Sequence, residues 1–411
     1  MLIFYGFVFI IVVEFFGLGR HYIPGLDSLT GLLSLSLFAY IIFKYGIKEV
    51  LEKKQAKLLA FFVFLTGFAV IHGLISEYAL RYFIQQVGYL ILFVLAYYFL
   101  DDVKKLRLYF VVFVLVHAAL SIINANKYFA TVREGAFKAG YFLADGNDFG
   151  WAMVISVGFA IYIYSTEKKF IFKVIYASAF FLIVFAVLGT QSRGAAIALG
   201  SSIFYYWFMV SKKKFLGIIF IITALIVVVA YAPMQYTQRL STISSYEEDG
   251  SAMGRIKAWG TAVEMAVDHP VLGVGAGSFN SAYGRLYRKS SDPVRWISTH
   301  SIYFKTLAEY GFPGLYILLM LIYSTWKLNR TSSIKLQTMS HNTGVTYLLP
   351  EAVNTSLIGF ATAGLFLGGI NYPHVFLIIA ISLRIHKFVE DAASDLENNQ
   401  QEFNVVVNKH D

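Results

Sequence analysis

Apolar residues come in long unbroken runs along this chain, with polar residues gathered between the runs. "FYGFVFIIVVEFF" (4–16), "YLILFVLAYYF" (89–99) and "FIFKVIYASAFFLIVFAVLG" (170–189) show the pattern. A helix rises about 1.5 Å per residue, so roughly 20 apolar residues cross the roughly 30 Å hydrocarbon core of a bilayer. Twelve stretches suit that purpose: 2–19, 28–46, 57–76, 82–100, 106–124, 149–165, 170–189, 194–210, 215–232, 302–326, 347–370 and 373–389. Hydrocarbon gives backbone N–H and C=O groups no water to bond, so each run predicts a helix. The chain is therefore expected to be an all-α polytopic membrane protein with about 12 transmembrane helices. The last two runs flank "GGINYPH" (368–374), which reads as a turn between two helices or a proline kink in one.

Most polar connections are short, but residues 125–148 and 233–301 form two long ones. Long loops on a rigid scaffold are where function concentrates. Within the second, "MGRIKAWGTAVEMAVDHP" (253–270) spaces Ile256, Trp259, Val263 and Val267 three to four residues apart. That predicts an amphipathic helix ending at His269–Pro270, lying across the membrane surface and roofing the spans. "EYGFPG" predicts a kink at Gly311, Pro313 and Gly314 inside the tenth span. The expected organisation is nine helices over 1–232, a large outer loop over 233–301, three helices over 302–389, and a disordered polar tail over 390–411. No internal repeat and no inverted pair of Gly/Pro-broken spans is visible, which weighs against many transporter architectures.

Composition agrees with this picture: 57% of residues are hydrophobic and only 14% charged, against about a quarter charged in soluble domains. The formal charge of +9 reads as topology. With the N-terminus inside, basic clusters such as Lys53/Lys54/Lys57, Lys104/Lys105/Arg107, Lys168/Lys169/Lys173 and Lys327/Arg330/Lys335 all fall on the cytoplasmic side. Both long loops then lie outside, and no nucleic-acid partner is implied. The absence of cysteine excludes disulfides, a Cys-ligated zinc and thiol catalysis. The first run lacks a basic n-region and a small-residue cleavage site, so it is expected to remain as an uncleaved span.

Three places carry candidate chemistry. In "GTQSRGAA" (189–196), Arg193 stands on the outer side, where positive charge is not favoured. It either snorkels to a lipid headgroup or grips a phosphate of a lipid-linked substrate, for which a guanidinium fork is suited. Arg255 and Trp259 are one helical turn apart, so they line one side of a groove, with Trp259 a possible sugar contact, or else Trp259 anchors a surface helix at the interface. "GVGAGSF" (273–279) lacks a Walker lysine and reads as a turn. His300, where the long loop meets the tenth span, is either packed into the helix or positioned as a base for an attacking hydroxyl, with Ser298 and Thr299 as helix caps. No metal cluster is expected. Asp145 and Asp148 could hold a cation, but "LADGNDFG" (143–150) reads as a turn.

"GTQSRGA", "GRIKAWGTAVEMAVDHPVLGVGAGSF" and "THSIYFKTLAEYGFPGL", in this order and spacing, resemble the core of the O-antigen ligase and O-antigen polymerase superfamily. "GYFLADGNDFG" (140–150) is similar to that family's upstream motif. The resemblance is strong over about 140–330 and rests on hydropathy alone before residue 130. It implies a GT-C-like fold with helices in a large periplasmic loop. It also implies a metal-independent, inverting glycosyl transfer from an undecaprenyl-diphosphate-linked glycan. Carried over, Arg193 and Arg255 bind the diphosphate and His300 is the catalytic base, with no cofactor. The family's usual His-Asn pair is here His300–Ser301, which puts the acceptor's identity in question. The expected acceptor is a glycan or lipid A core, the membrane the bacterial inner membrane, and the active site periplasmic. A polysaccharide polymerase of the same superfamily is the nearest alternative. From other classes, a small-anion transporter attracting its cargo with Arg193 and Arg255, or a non-enzymatic scaffold, would also place cations there.

Overall fold

The computed structural model of the protein describes residues 2–128, 146–210, 250–288, 297–339, 345–368 and 372–407. Among these residues there are fifteen α-helices and no strand. The first seven are α1 (Leu2–Phe16), α2 (Leu18–His21), α3 (Leu26–Tyr45), α4 (Lys48–Leu51), α5 (Lys54–His72), α6 (Ser76–Phe99) and α7 (Val103–Ile123). Then come α8 (Gly146–Thr166), α9 (Phe170–Gly189) and α10 (Arg193–Val210). The rest are α11 (Gly250–Asp268), α12 (Phe279–Ala282), α13 (Ile302–Thr338), α14 (Leu348–Ala363) and α15 (Pro373–Val407). Seven of these, α3, α5 to α9 and α13, are long and apolar enough to cross a membrane. Eleven of the twelve apolar runs fall on described helices, and 215–232 lies outside the described residues. The chain is an all-α polytopic membrane protein.

The core is built by close approach of α8, α10 and α14. An added Cβ at Gly158 would collide with the Ala352 carbonyl oxygen, and one at Gly359 would stand 2.6 Å from Val154 Cγ1. Helices in lipid lack a hydrophobic drive to associate, so small residues that let backbones meet supply the packing contact. Aromatic rings fill the remaining space: Phe110 stacks on Phe159 at 4.3 Å and Trp151 on Phe360 at 5.0 Å. The Trp151 indole N–H donates to the Phe360 carbonyl at 3.2 Å.

A group of basic residues is held by partners at one end of the bundle. Lys335 reaches Glu390 at 2.9 Å, Lys387 pairs with Glu49, and Arg384 donates to the Asp101 carbonyl at 3.2 Å. Below them Arg330 pairs with the buried Glu351 at 2.5 Å, and Glu351 also accepts from the Tyr205 hydroxyl at 2.8 Å. Asn329 donates to Asn354 and Ser382 at 3.0 and 2.9 Å. These partners explain why α13 continues to Thr338 rather than ending near 326: its polar last third is satisfied by α14 and α15.

Three further expectations need correction. The region after 389 does not begin a disordered tail, because α15 runs on to Val407. Val389 is fully buried there and Glu390 is held by Lys335. Ser298 and Thr299 do not cap α13, whose N-cap is Ser301. In α11 the buried face is Ala258, Ala262, Met265 and Ala266, while Ile256, Val263 and Val267 point outward with 43–64% exposure. Large apolar residues marked one face, but small alanines let α11 approach α13 closely, and proximity decided which face packs. Of the segment 368–374, Pro373 and His374 open α15, a helix separate from α14, and residues 369–371 lie outside the described residues.

Candidate functional site

Arg193 is the first residue of α10. The α9–α10 turn is held by short polar side chains: the Thr190 hydroxyl accepts from the Ser192 N–H, and the Ser192 hydroxyl accepts from the Ala195 N–H, both at 3.3 Å. A serine before a first turn caps it in this way. A cation at a helix N-terminus opposes the macrodipole at a cost of about 0.3–1 kcal/mol, and a helix N-terminus itself favours an anion. Gln191 in the turn has φ 53°.

His300 precedes α13 rather than lying on it. Its φ is 45°, and His300 and Gln191 are the two non-glycine residues with positive φ among those described. Such backbone costs about 1–3 kcal/mol and concentrates at functional positions. Buried neighbours hold it: Thr299 and Ser301 are both fully buried, and the Thr299 hydroxyl donates to the Ser301 carbonyl at 3.1 Å. The His300 side chain is exposed. Ser301 Oγ, where the resembling family has an amide, is buried with no hydrogen-bond partner among the described residues.

Arg255 is half-buried on α11. One turn on, the Trp259 indole N–H donates to the Thr299 carbonyl at 2.8 Å, next to His300. The Trp259 ring stacks on Phe304 of α13 at 4.9 Å with planes 10° apart, so one of its faces is covered by protein.

The kink in α13 ties this helix to the long loop. Gly311, with φ 64° and ψ −167°, breaks the helix as its sequence predicts. The Ala308 carbonyl should accept from Phe312, and the Glu309 carbonyl from residue 313. Phe312 N–H instead donates to the Pro270 carbonyl at 2.9 Å, and Pro313 has no N–H. The two vacant carbonyls are taken by Val274 N–H at 2.8 Å and Gly275 N–H at 3.2 Å. The glycine loop is thus a turn, with φ of 62°, 94° and 69° at Gly273, Gly275 and Gly277, and the Val274 and Gly275 N–H groups serve α13 instead of a phosphate. The Glu309 carboxylate accepts from Phe279 N–H at 3.2 Å, extending the same seam.

A turn unnoticed in the sequence completes the assembly. Residues 364–368 follow α14, and the Gly364 carbonyl accepts from Ile302 N–H at 2.9 Å. A Cβ at Gly368 would lie 3.7 Å from His300 Cα, and one at Gly194 would lie 2.7 Å from Phe366 Cβ. Through this turn, the neighbours of Arg193 and His300 meet, while Trp259 brings α11 to the same place. Glycines at both ends of "GLFLG" were its only signal. An open cavity of about 520 Å³ lies to one side, lined by His72, Leu74, residues 268–274 and Leu286. It does not include the three candidate residues. At its edge burial and Asp268 push the Tyr287 hydroxyl up to about 12, so it stays a donor to Asp268 at 2.8 Å. Asp145 lies outside the described residues, and Asp148 is in the first turn of α8.

Residues 178–319 match the O-antigen ligase family. The matched stretch contains Arg193, Arg255, Trp259 and His300 and ends just past the kink. This O-antigen ligase match supports the O-antigen ligase and polymerase superfamily, and with it a glycosyltransferase-type enzyme that joins a lipid-linked glycan to a glycan acceptor. The 364–368 turn falls outside it. No curated protein matches the chain.

Proposed function

We propose that the chain is an O-antigen ligase-like glycosyltransferase that moves a saccharide from a polyprenyl diphosphate to an acceptor hydroxyl, inverting the anomeric centre without a metal. The observation that carries this reading is the convergence of three separated segments, through the Ile302–Gly364 backbone bond, the Trp259–Thr299 bond and the approach of Gly194 to Phe366, at the end of the bundle opposite the basic cluster. Arg193, with the α10 N-terminus behind it, and Arg255 take the diphosphate. As the anomeric C–O bond to the diphosphate breaks, charge develops on the leaving oxygen, and two guanidinium groups stabilise it. His300 accepts the acceptor's proton as the hydroxyl attacks from the opposite face. Trp259 holds the His300 segment through Thr299, and its second ring face is the one a sugar can stack on. The membrane assigned is the bacterial cytoplasmic membrane with the site facing the periplasm, since lysine and arginine gather at the other end. The same machinery serves a polymerase when the acceptor is a second lipid-linked unit.

The test uses full-length protein in nanodiscs with lipid-linked glycan and acceptor. Arg193→Ala, Arg255→Ala and His300→Ala should each lower transfer by about 100-fold or more, with membrane abundance and melting temperature unchanged. Chelator should leave the wild-type rate unaltered. Normal transfer by all three variants would discard the proposal.

A further inference from the structure

α11 carries three faces. Ala258, Ala262 and Met265 are fully buried, packed with Phe279 and Ala308. Lys257, Glu264 and Asp268 form a polar strip, and Ile256, Val263 and Val267 an outward apolar one. By helical periodicity the order around the axis is alanine face, then Arg255 and Trp259, then apolar strip, then polar strip. A helix with a packed face gains no stability from a second apolar strip in water.

The strip does not end in isolation. Beyond Val267 it continues through Val271 and Leu286, each 62% exposed, on the rim of the open cavity. The other rim is His72 and Leu74, where α5 ends. Leu74 N–H donates to the Val274 carbonyl at 3.2 Å, which joins the two rims. On the spanning helix α5, Phe64, Phe68 and Ile71 form one exposed face at helical spacing, the lipid-facing side of that span. Exposed apolar residues therefore stand on both rims of this cavity, on the α11 side and where the membrane span α5 ends.

We infer that α11 is embedded in the edge of the bilayer, its Ile256–Val263–Val267 strip in lipid hydrocarbon and its Lys257 and Glu264 strip toward water. The partner is the bilayer itself. The shared cavity with the end of α5 favours lipid over a second protein surface, and the adjoining polar strip has the division expected of an interfacial helix. One consequence rests on the glycosyltransferase reading: Arg255, at the seam between the alanine face and the lipid strip, meets a diphosphate from the lipid side while its hydrocarbon chain stays in the membrane.

The chain contains no cysteine, so single cysteines report without background. Ile256→Cys, Val263→Cys and Val267→Cys, with Lys257→Cys and Glu264→Cys as controls, are labelled with an environment-sensitive fluorophore in the full-length protein. The labelled proteins are placed in nanodiscs of zwitterionic and anionic phospholipid. The strip positions should show blue-shifted emission, quenched by lipids carrying a nitroxide near the headgroup end of the chain and not by iodide; the two controls should show the reverse. Iodide quenching of all five alike would overturn the inference by placing the strip in water. Strip positions that neither quencher reaches would overturn it by placing protein over them. The pattern needs no turnover, so it stands or falls separately from the transfer reading.

Discussion

The two ends of the bundle are fastened by opposite means. At the basic end the charged side chains are themselves the fastening: Arg330 with Glu351, Lys335 with Glu390 and Lys387 with Glu49. At the other end much of the fastening is main chain to main chain, through Val274 and Gly275 to Ala308 and Glu309, Phe312 to Pro270, and Ile302 to Gly364, with the Trp259 indole and the Glu309 carboxylate adding bonds to main chain. Fastening with backbone leaves side chains to act on something else, and an end assembled that way can present cations and an imidazole to a substrate. It also requires unusual backbone, which is why the left-handed residues of the described long loop and of the α13 kink cluster there.

This contrast is open to direct attack. The largest effect is expected at the basic end: Glu351→Ala leaves the Arg330–Tyr205 site without its carboxylate, and breaking a buried pair costs about 3–5 kcal/mol. Thermal unfolding in detergent should show that loss, while transfer per folded molecule persists. Next, Gly311→Ala puts a side chain at φ 64° against the Pro270 carbonyl, costing about 1–3 kcal/mol of backbone strain. Here transfer should fall far more than melting temperature, and proteolysis should open the 269–277 loop; equal losses would erase the distinction between the two ends. Trp259→Phe keeps the ring on Phe304 and removes the bond to Thr299, a loss of about 1 kcal/mol. Transfer should decline by less than about tenfold, the rate equivalent of roughly 1.4 kcal/mol.

The smallest effect concerns Glu49. Burial raises its carboxyl, but hydrogen bonds from Lys387 and Tyr97 outweigh that and leave it below its ordinary value. Its contribution is present at neutral pH and fades as pH falls through that lowered value. Because the pair is partly exposed, Glu49→Gln should cost under about 1 kcal/mol at pH 7. The difference from wild type should vanish in acid-titrated melting curves.

The spans were legible because apolar runs of bilayer length admit few structures, and Gly311 with Pro313 announced the kink. Arg193 and His300 were legible as charged or titratable residues at span boundaries, and Arg255 as a cation one helical turn from Trp259 in the long loop. Their assembly was not. The 364–368 turn acts through the Gly364 carbonyl and through a close approach of main chain to main chain that any apolar sequence with two glycines could hide. The packed face of α11 was missed because alanine contributes little to an apolar pattern, yet its small volume sets how near two helices come. The positive φ of His300 has no signature in its own residue type.

The break at Gly311 also sets which parts of the site move as one body. Residues 302–310 are joined by hydrogen bonds to the loop bearing α11, so His300, Trp259 and Arg255 belong to one mechanical unit with the roof. Arg193 belongs to α10, which meets the 364–368 turn at Phe366 by van der Waals contact. The adjustable dimension of the site is therefore the gap between Arg193 and the other three. On the proposed function, a shear across the Phe366 surface would change the distance between Arg193 and His300 while leaving the Trp259–Thr299 hydrogen bond in place.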